Sequence, residues 1–171
     1  MHHKKIKRCS VLLFSFWLSF SAYATSTQNF LEITLSILSY AKWNTNVNTP
    51  NLCIVNNPNL VGQFKLLVQQ QHANYNIIPI DLKLLDQSTC QAIYFSTLSA
   101  KEEQAALNHH IHSPTLSFSS NNTECDIGSA FCLYKRNGLT SFKVNLDSLS
   151  QSKIRVDPRV LLLAKPLEQS L

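Results

Sequence analysis

Two cysteines, Cys125 and Cys132, stand seven positions apart in the stretch ECDIGSAFCLYKR, residues 124–136. Just beyond them, two alternating runs flank Asn137-Gly138, the strongest short-range signal for a β-hairpin. Whatever links the two sulfurs therefore pins the chain where it turns into that hairpin. Zinc ligands commonly come as C-x2-4-C and a thioredoxin-type site needs C-x-x-C; C-x6-C is neither. A disulfide suits the spacing, with Gly128 letting DIGSAF double back. Closing a loop of about eight residues is worth roughly 2.5 kcal/mol by the chain-entropy estimate, against a domain stability of about 5–15 kcal/mol.

Disulfides persist in oxidising compartments, so the N-terminus bears on the question. It reads MHHKKIKRCSVLLFSFWLSFSAYATS. Lys4, Lys5, Lys7 and Arg8 form a basic region, Val11 to Phe20 an apolar run, and Ala22-Tyr23-Ala24 puts small residues where a signal peptidase reads. Residues 1–24 read as a secretory signal peptide cleaved after Ala24, with residues 25–171 as a single domain. A transmembrane span needs about 20 apolar residues, and Ser21, Thr25, Ser26 and Thr27 break the run. No second stretch is long enough, which leaves a soluble exported product.

Four of the fifteen Lys and Arg residues lie in the signal and none of the ten acidic ones does, which leaves eleven against ten. The formal charge of +5 therefore belongs mostly to the export signal. It does not imply a nucleic-acid partner, which needs a basic face on the folded domain. Cys9 leaves with the signal, so the remaining cysteines are Cys53, Cys90, Cys125 and Cys132. Cys53 falls in the first strand and Cys90 just before the third. If those strands are neighbours a second bridge can form; two buried thiols filling apolar space are the alternative.

Periodicity orders the rest. Residues 28–43 read as a broadly buried helix, residues 52–56 as a strand, and PNLVGQFKLLVQQQ as a helix with Leu60, Phe64, Leu67 and Val68 inward. NIIPIDLKLL reads as an edge or irregular strand, since Pro79 cannot donate to a ladder. QAIYFS is apolar enough for a central strand. SAKEEQAALNHH opens with Ser99 as N-cap and Glu102 closing a capping box, an exposed helix. PTLSFSS is a fourth strand and the hairpin follows. Asp157 and Pro158 open a last helix, with Val160, Leu161 and Ala164 inward. The fold class is α/β: a mainly parallel central sheet with an antiparallel C-terminal hairpin and helices on both faces.

Catalytic patterns are missing. The three glycines, at 62, 128 and 138, make neither a phosphate cradle nor a nucleophile elbow. His109 and His112 in NHHIH are three apart, but Pro114 follows, and histidines in a last helical turn suit the dipole without a metal. Glu102 and Glu103 read as solvated residues of a surface helix, and Glu124 and Asp126 flank the cysteine loop. No cofactor, metal or enzymatic activity is expected.

Five segments carry a resemblance over nearly the whole of residues 25–171: SILSYAKWN, LCIVNN, CQAIYFS, ECDIGSAFCL and FKVNLDSLSQSKIRVDPRVLLLAK. Together they resemble the YfiR family of bacterial periplasmic proteins, and the last is the most specific. The four-cysteine arrangement is similar to the family's namesake rather than to its cysteine-poor relatives. The resemblance implies a regulator that binds and represses the periplasmic sensor domain of an inner-membrane diguanylate cyclase, lowering cyclic di-GMP and biofilm formation. An OmpA-like outer-membrane lipoprotein sequesters such repressors, and relatives can form homodimers. It further implies that a Cys125–Cys132 disulfide supports fold and repression and that the Cys53–Cys90 pair responds to redox state. IGSAF departs from the double glycine of many members. The alternative reading is a periplasmic small-ligand binding domain, with its crevice at the C-terminal ends of the strands.

Overall fold

The computed structural model describes residues 24–43, 47–110 and 113–164. Signal residues 1–23, with Ala22, and also His112 and Pro166, lie outside them; Ala24 is the first residue of helix α1 (Ala24–Ser39). The chain continues through β1 (Ala41–Lys42), β2 (Asn51–Val55), α2 (Pro58–Gln70), β3 (Asn76–Ile80), β4 (Ala92–Phe95), α3 (Ala100–His110) and β5 (Leu116–Ser119). It closes with β6 (Phe131–Arg136), β7 (Leu139–Val144), α4 (Leu146–Gln151) and β8 (Arg155–Val156). Two 3-10 helices, Leu82–Gln87 and Pro158–Ala164, complete the elements of the described residues.

Six strands form one sheet in the order β3-β2-β4-β5-β6-β7, parallel throughout except for the β6–β7 hairpin. β1 and β8 form a separate antiparallel pair. The α/β architecture with its antiparallel terminal hairpin is therefore present as expected. β3, with Pro79, is an edge strand and β4 a central one buried at every position. The hairpin turns on Asn137 and Gly138, both at positive φ (51° and 78°), as a type I′ turn requires.

Because successive strand residues point to opposite faces, the sheet divides the interior in two. Leu52 and Ile54, Ala92 and Tyr94, Leu116 and Phe118, Phe131 and Leu133 face one side. There α1 supplies Leu31, Leu35, Ile37 and Leu38, and α2 supplies Leu60, Val61, Phe64 and Leu67. Phe131 stacks on Phe118 with ring centroids 5.5 Å apart and meets the edge of Phe142 at 5.7 Å. The other face carries Cys53, Val55, Ile93 and Phe95 beneath Ala106 and Leu107 of α3 and Leu85 of the first 3-10 helix. It is the smaller of the two cores.

Four expectations need correction. The first helix stops at Ser39 rather than reaching Trp43, because Tyr40 C=O accepts the Asp157 N–H (3.0 Å) and Ala41–Lys42 pair with β8. Trp43 instead packs half-buried, edge-on to Tyr75 at 6.5 Å. The expected strand through residue 85 ends at Ile80. Asp81 caps a 3-10 helix there by accepting from Lys83 N (2.8 Å). The last helix is also 3-10, a form in which residues three apart share a face. Val160 and Leu163 thus turn inward, while Leu161, expected in the core, is exposed. Finally, NLDSLSQ holds an unforeseen helix, α4, capped by Asn145 Oδ1 accepting from Ser148 N (3.0 Å).

The aromatic stack is where the larger core is least replaceable. Phe131→Ala, at a side chain with no exposure, should cost about 3–5 kcal/mol in urea denaturation. Leu146→Ala, at 73 % exposure, should stay within about 0.5 kcal/mol of wild type.

Candidate functional site

The alternation Leu-Ser-Phe-Ser of β5 places Leu116 and Phe118 in the larger core and turns Ser117 and Ser119 toward the opposite side, under α3. Both serines are buried. Ser119 meets Glu103 there. The Ser99 capping box of α3 forms as expected, with Ser99 N–H donating to Glu102 Oε2 (2.8 Å). Glu103 does not behave as the sequence reading held. It lies on the same helix face as Ala106 and Leu107, three and four residues on, and has no solvent exposure at all.

Burying a carboxylate is costly unless its oxygens are hydrogen-bonded. Glu103 Oε1 accepts from Ser119 Oγ. Its Oε2 accepts from Ser129 Oγ (2.9 Å), Ser129 N (3.2 Å) and Asn122 Nδ2 (3.4 Å). Ser119 Oγ in turn accepts from the backbone of Asn121 and Asn122. One side chain thus gathers the end of β5, the turn beyond it and the start of β6. Burial holds its pKa above the ordinary 4.5, outweighing the hydrogen bonds that pull it down.

What Glu103 holds is the unusual connection of the fold. β5 and β6 are parallel, and parallel neighbours are usually joined by a helical crossover. Here residues 120–130 cross over without one. Within them Cys125 is bonded to Cys132, whose Cα atoms are 5.7 Å apart, and Cys125 itself sits at φ 65°. Gly128 packs against the carboxylate at φ +91°. A Cβ there would lie 2.8 Å from Glu103 Oε2 and 3.0 Å from Ala100 O. Gly128 N–H donates to Gln104 Oε1 (2.9 Å), and its carbonyl accepts from Ser148 Oγ (2.6 Å). Only glycine fits, so the single glycine of IGSAF is used fully.

Cys53 and Cys90 are joined on the same face of the sheet, with Cα atoms 5.8 Å apart, both buried beside Leu85, Ile93 and Phe95. β2 and β4 are adjacent, Leu52 opposite Ala92. Both sulfur bridges, Glu103 and α3 therefore lie on one side, and α1 and α2 on the other.

The strand C-termini hold a cleft of about 420 Å³ between β2, β3 and the start of α2, lined by Ile54, Pro79, Ile80 and polar residues. Those polar side chains already have work. Asn56 Oδ1 accepts from Leu82 N, Asn57 Oδ1 from Leu60 N, and Asp81 Oδ1 from Lys83 N. Among the described residues no group of three or more His, Cys, Asp or Glu side chains could hold a metal ion, and no helix is long and apolar enough to cross a membrane. The signal that could have revealed Glu103 was its place in the i, i+3, i+4 pattern with Ala106 and Leu107. Ser129, Asn122 and Ser119 carry no such signal.

Two tests follow from this geometry. Gly128→Ala should destabilise by more than about 1 kcal/mol and by more than Gly138→Ala, whose surroundings are open, in chemical denaturation. For Glu103, a pKa raised on folding means that the native state holds its proton more tightly. Its contribution is full below the unfolded value near 4.5 and is lost as pH rises through the folded value. The unfolding free energy of wild type minus that of Glu103→Gln should therefore fall as pH rises from 4.5. A difference that is flat or rises with pH contradicts the assignment.

The described fold, with its two bridges, coincides with a comparison at family level. A family model described as YfiR/HmsC-like matches residues 30–165, from α1 to beyond the last 3-10 helix. The chain belongs to the YfiR/HmsC-like family.

Proposed function

We propose that this chain is a periplasmic regulator of diguanylate cyclase signalling, exported with residues 1–24 removed after Ala24. In this reading residues 25–171 bind the periplasmic sensor domain of an inner-membrane diguanylate cyclase and repress it, lowering cyclic di-GMP and biofilm formation. An OmpA-like outer-membrane lipoprotein sequesters the repressor and frees the cyclase. The observation that carries the reading is the family match over residues 30–165 of a fold with two disulfides on one face.

The physical argument is one of differential affinity. A module without catalytic groups shifts a partner's equilibrium only by binding one of its states better than another. Disulfides persist in oxidising compartments, which suits the periplasm. Opening Cys125–Cys132 frees the helix-less β5–β6 connection, and opening Cys53–Cys90 loosens the thinner core under α3. Either change lowers the population of the binding-competent fold and hence the apparent affinity. Repression is then sensitive to the redox state of the envelope.

The test is a binding assay between the purified chain and the periplasmic domain of the cyclase, with and without reductant, paired with cellular cyclic di-GMP. Binding in the oxidised state, weakened by dithiothreitol, is expected. Absence of binding in both states overturns the reading. The double variant Cys125→Ser/Cys132→Ser should lose about 2.5 kcal/mol of stability and raise cyclic di-GMP in cells that carry the cyclase.

A further inference from the structure

A second cavity, about 200 Å³, opens between α3, β5 and α4 and is lined by Gln104, Leu107, Asn108, Ser117, Ser148, Gln151 and Lys153. It is smaller than the roughly 300–1,000 Å³ that drug-sized ligands occupy. Its lining holds one cation, Lys153. No acidic side chain contributes. Asn108 Oδ1 accepts from Gln104 Nε2 (2.8 Å), which leaves Asn108 Nδ2 as a donor. Among the described residues no acceptor reaches the Gln151 amide or Lys153 Nζ.

The floor supplies an independent observation. Ser117 is 2 % exposed and its Oγ accepts from Ala130 N (2.9 Å), but among the described residues no acceptor receives its own hydroxyl proton. A buried hydroxyl donor without an acceptor is costly. It asks for an oxygen to be supplied from the cavity. A buried donor at the floor and amide and ammonium donors at the rim call for the same guest. One cation suits one negative charge, and Leu107 offers the apolar wall that a short aliphatic chain needs.

We propose that this cavity is a binding site for a small organic carboxylate. One carboxylate oxygen accepts from Ser117 Oγ and the other side of the group faces Lys153 and Gln151. The site adjoins the disulfide connection. Gln104 and Ser148, both in its wall, are the residues that hold Gly128 N–H and C=O. Occupancy therefore bears directly on the Gly128 segment of the Cys125–Cys132 loop, whichever partner the domain serves.

The oxidised protein is titrated with propionate, succinate and inorganic phosphate at constant ionic strength and pH 7, followed by amide NMR shifts. Saturable binding of propionate or succinate is expected, with shifts gathered at Ser117, Gln151, Lys153 and Gly128. Lys153→Gln should weaken it at least tenfold, and Lys65→Gln on α2 should leave it unchanged. The proposal is overturned if neither carboxylate saturates, if phosphate binds in preference to both, if the shifts gather elsewhere, or if Lys153→Gln binds as wild type does. Circular dichroism of the variant shows that any loss reflects the site and not the fold.

Discussion

The structure depends on a carboxylate in the wrong place by composition rules. Glutamate is almost never fully buried unless paired, and Glu103 is buried with neutral donors alone among its hydrogen-bond partners. Those donors come from three pieces of chain: the end of β5, the turn at Asn122 and the approach to β6. The helix that normally joins parallel neighbours is replaced by a polar knot and a disulfide. A hydrophobic staple could press these segments together, but hydrogen bonds to one carboxylate also specify how each segment is oriented.

The two faces of the sheet consequently have different physics. Under α1 and α2 the core is hydrocarbon and aromatic, stacked around Phe118 and Phe131, and its strength scales with buried area. Under α3 the core is small and includes the Cys53–Cys90 disulfide, and buried serines, the carboxylate and the second disulfide lie on the same face. Directional bonds and covalent closure take over where area is scarce. The sheet thus separates a half held by buried area from a half held by specific bonds.

The sequence by itself determined the layered α/β class, because periods of 2.0 and 3.6 are local properties of the chain. It also determined the hairpin at Asn137-Gly138, where both residues tolerate positive φ, and the Ser99–Glu102 cap, a contact within one turn. Pro79, which lacks the donor that a central strand needs, marked β3 as an edge or irregular strand, and the sheet places it at the edge. The family resemblance was legible in the cysteine spacing and the C-terminal block.

Tertiary structure decided the rest, because those features depend on contacts between segments far apart in the chain. Glu103 looked like its neighbour Glu102 until Ser119 and Ser129 were brought to it across the sheet. The first helix gave up its last turn to pair with β8, more than a hundred residues on, and Leu161 lost its place in the core when the final helix tightened to three residues per turn. The β5–β6 crossing without a helix follows from no local propensity. It exists because a carboxylate, a glycine with no room for a methyl group and a sulfur bridge converge on one point, and convergence is a property of the folded chain alone.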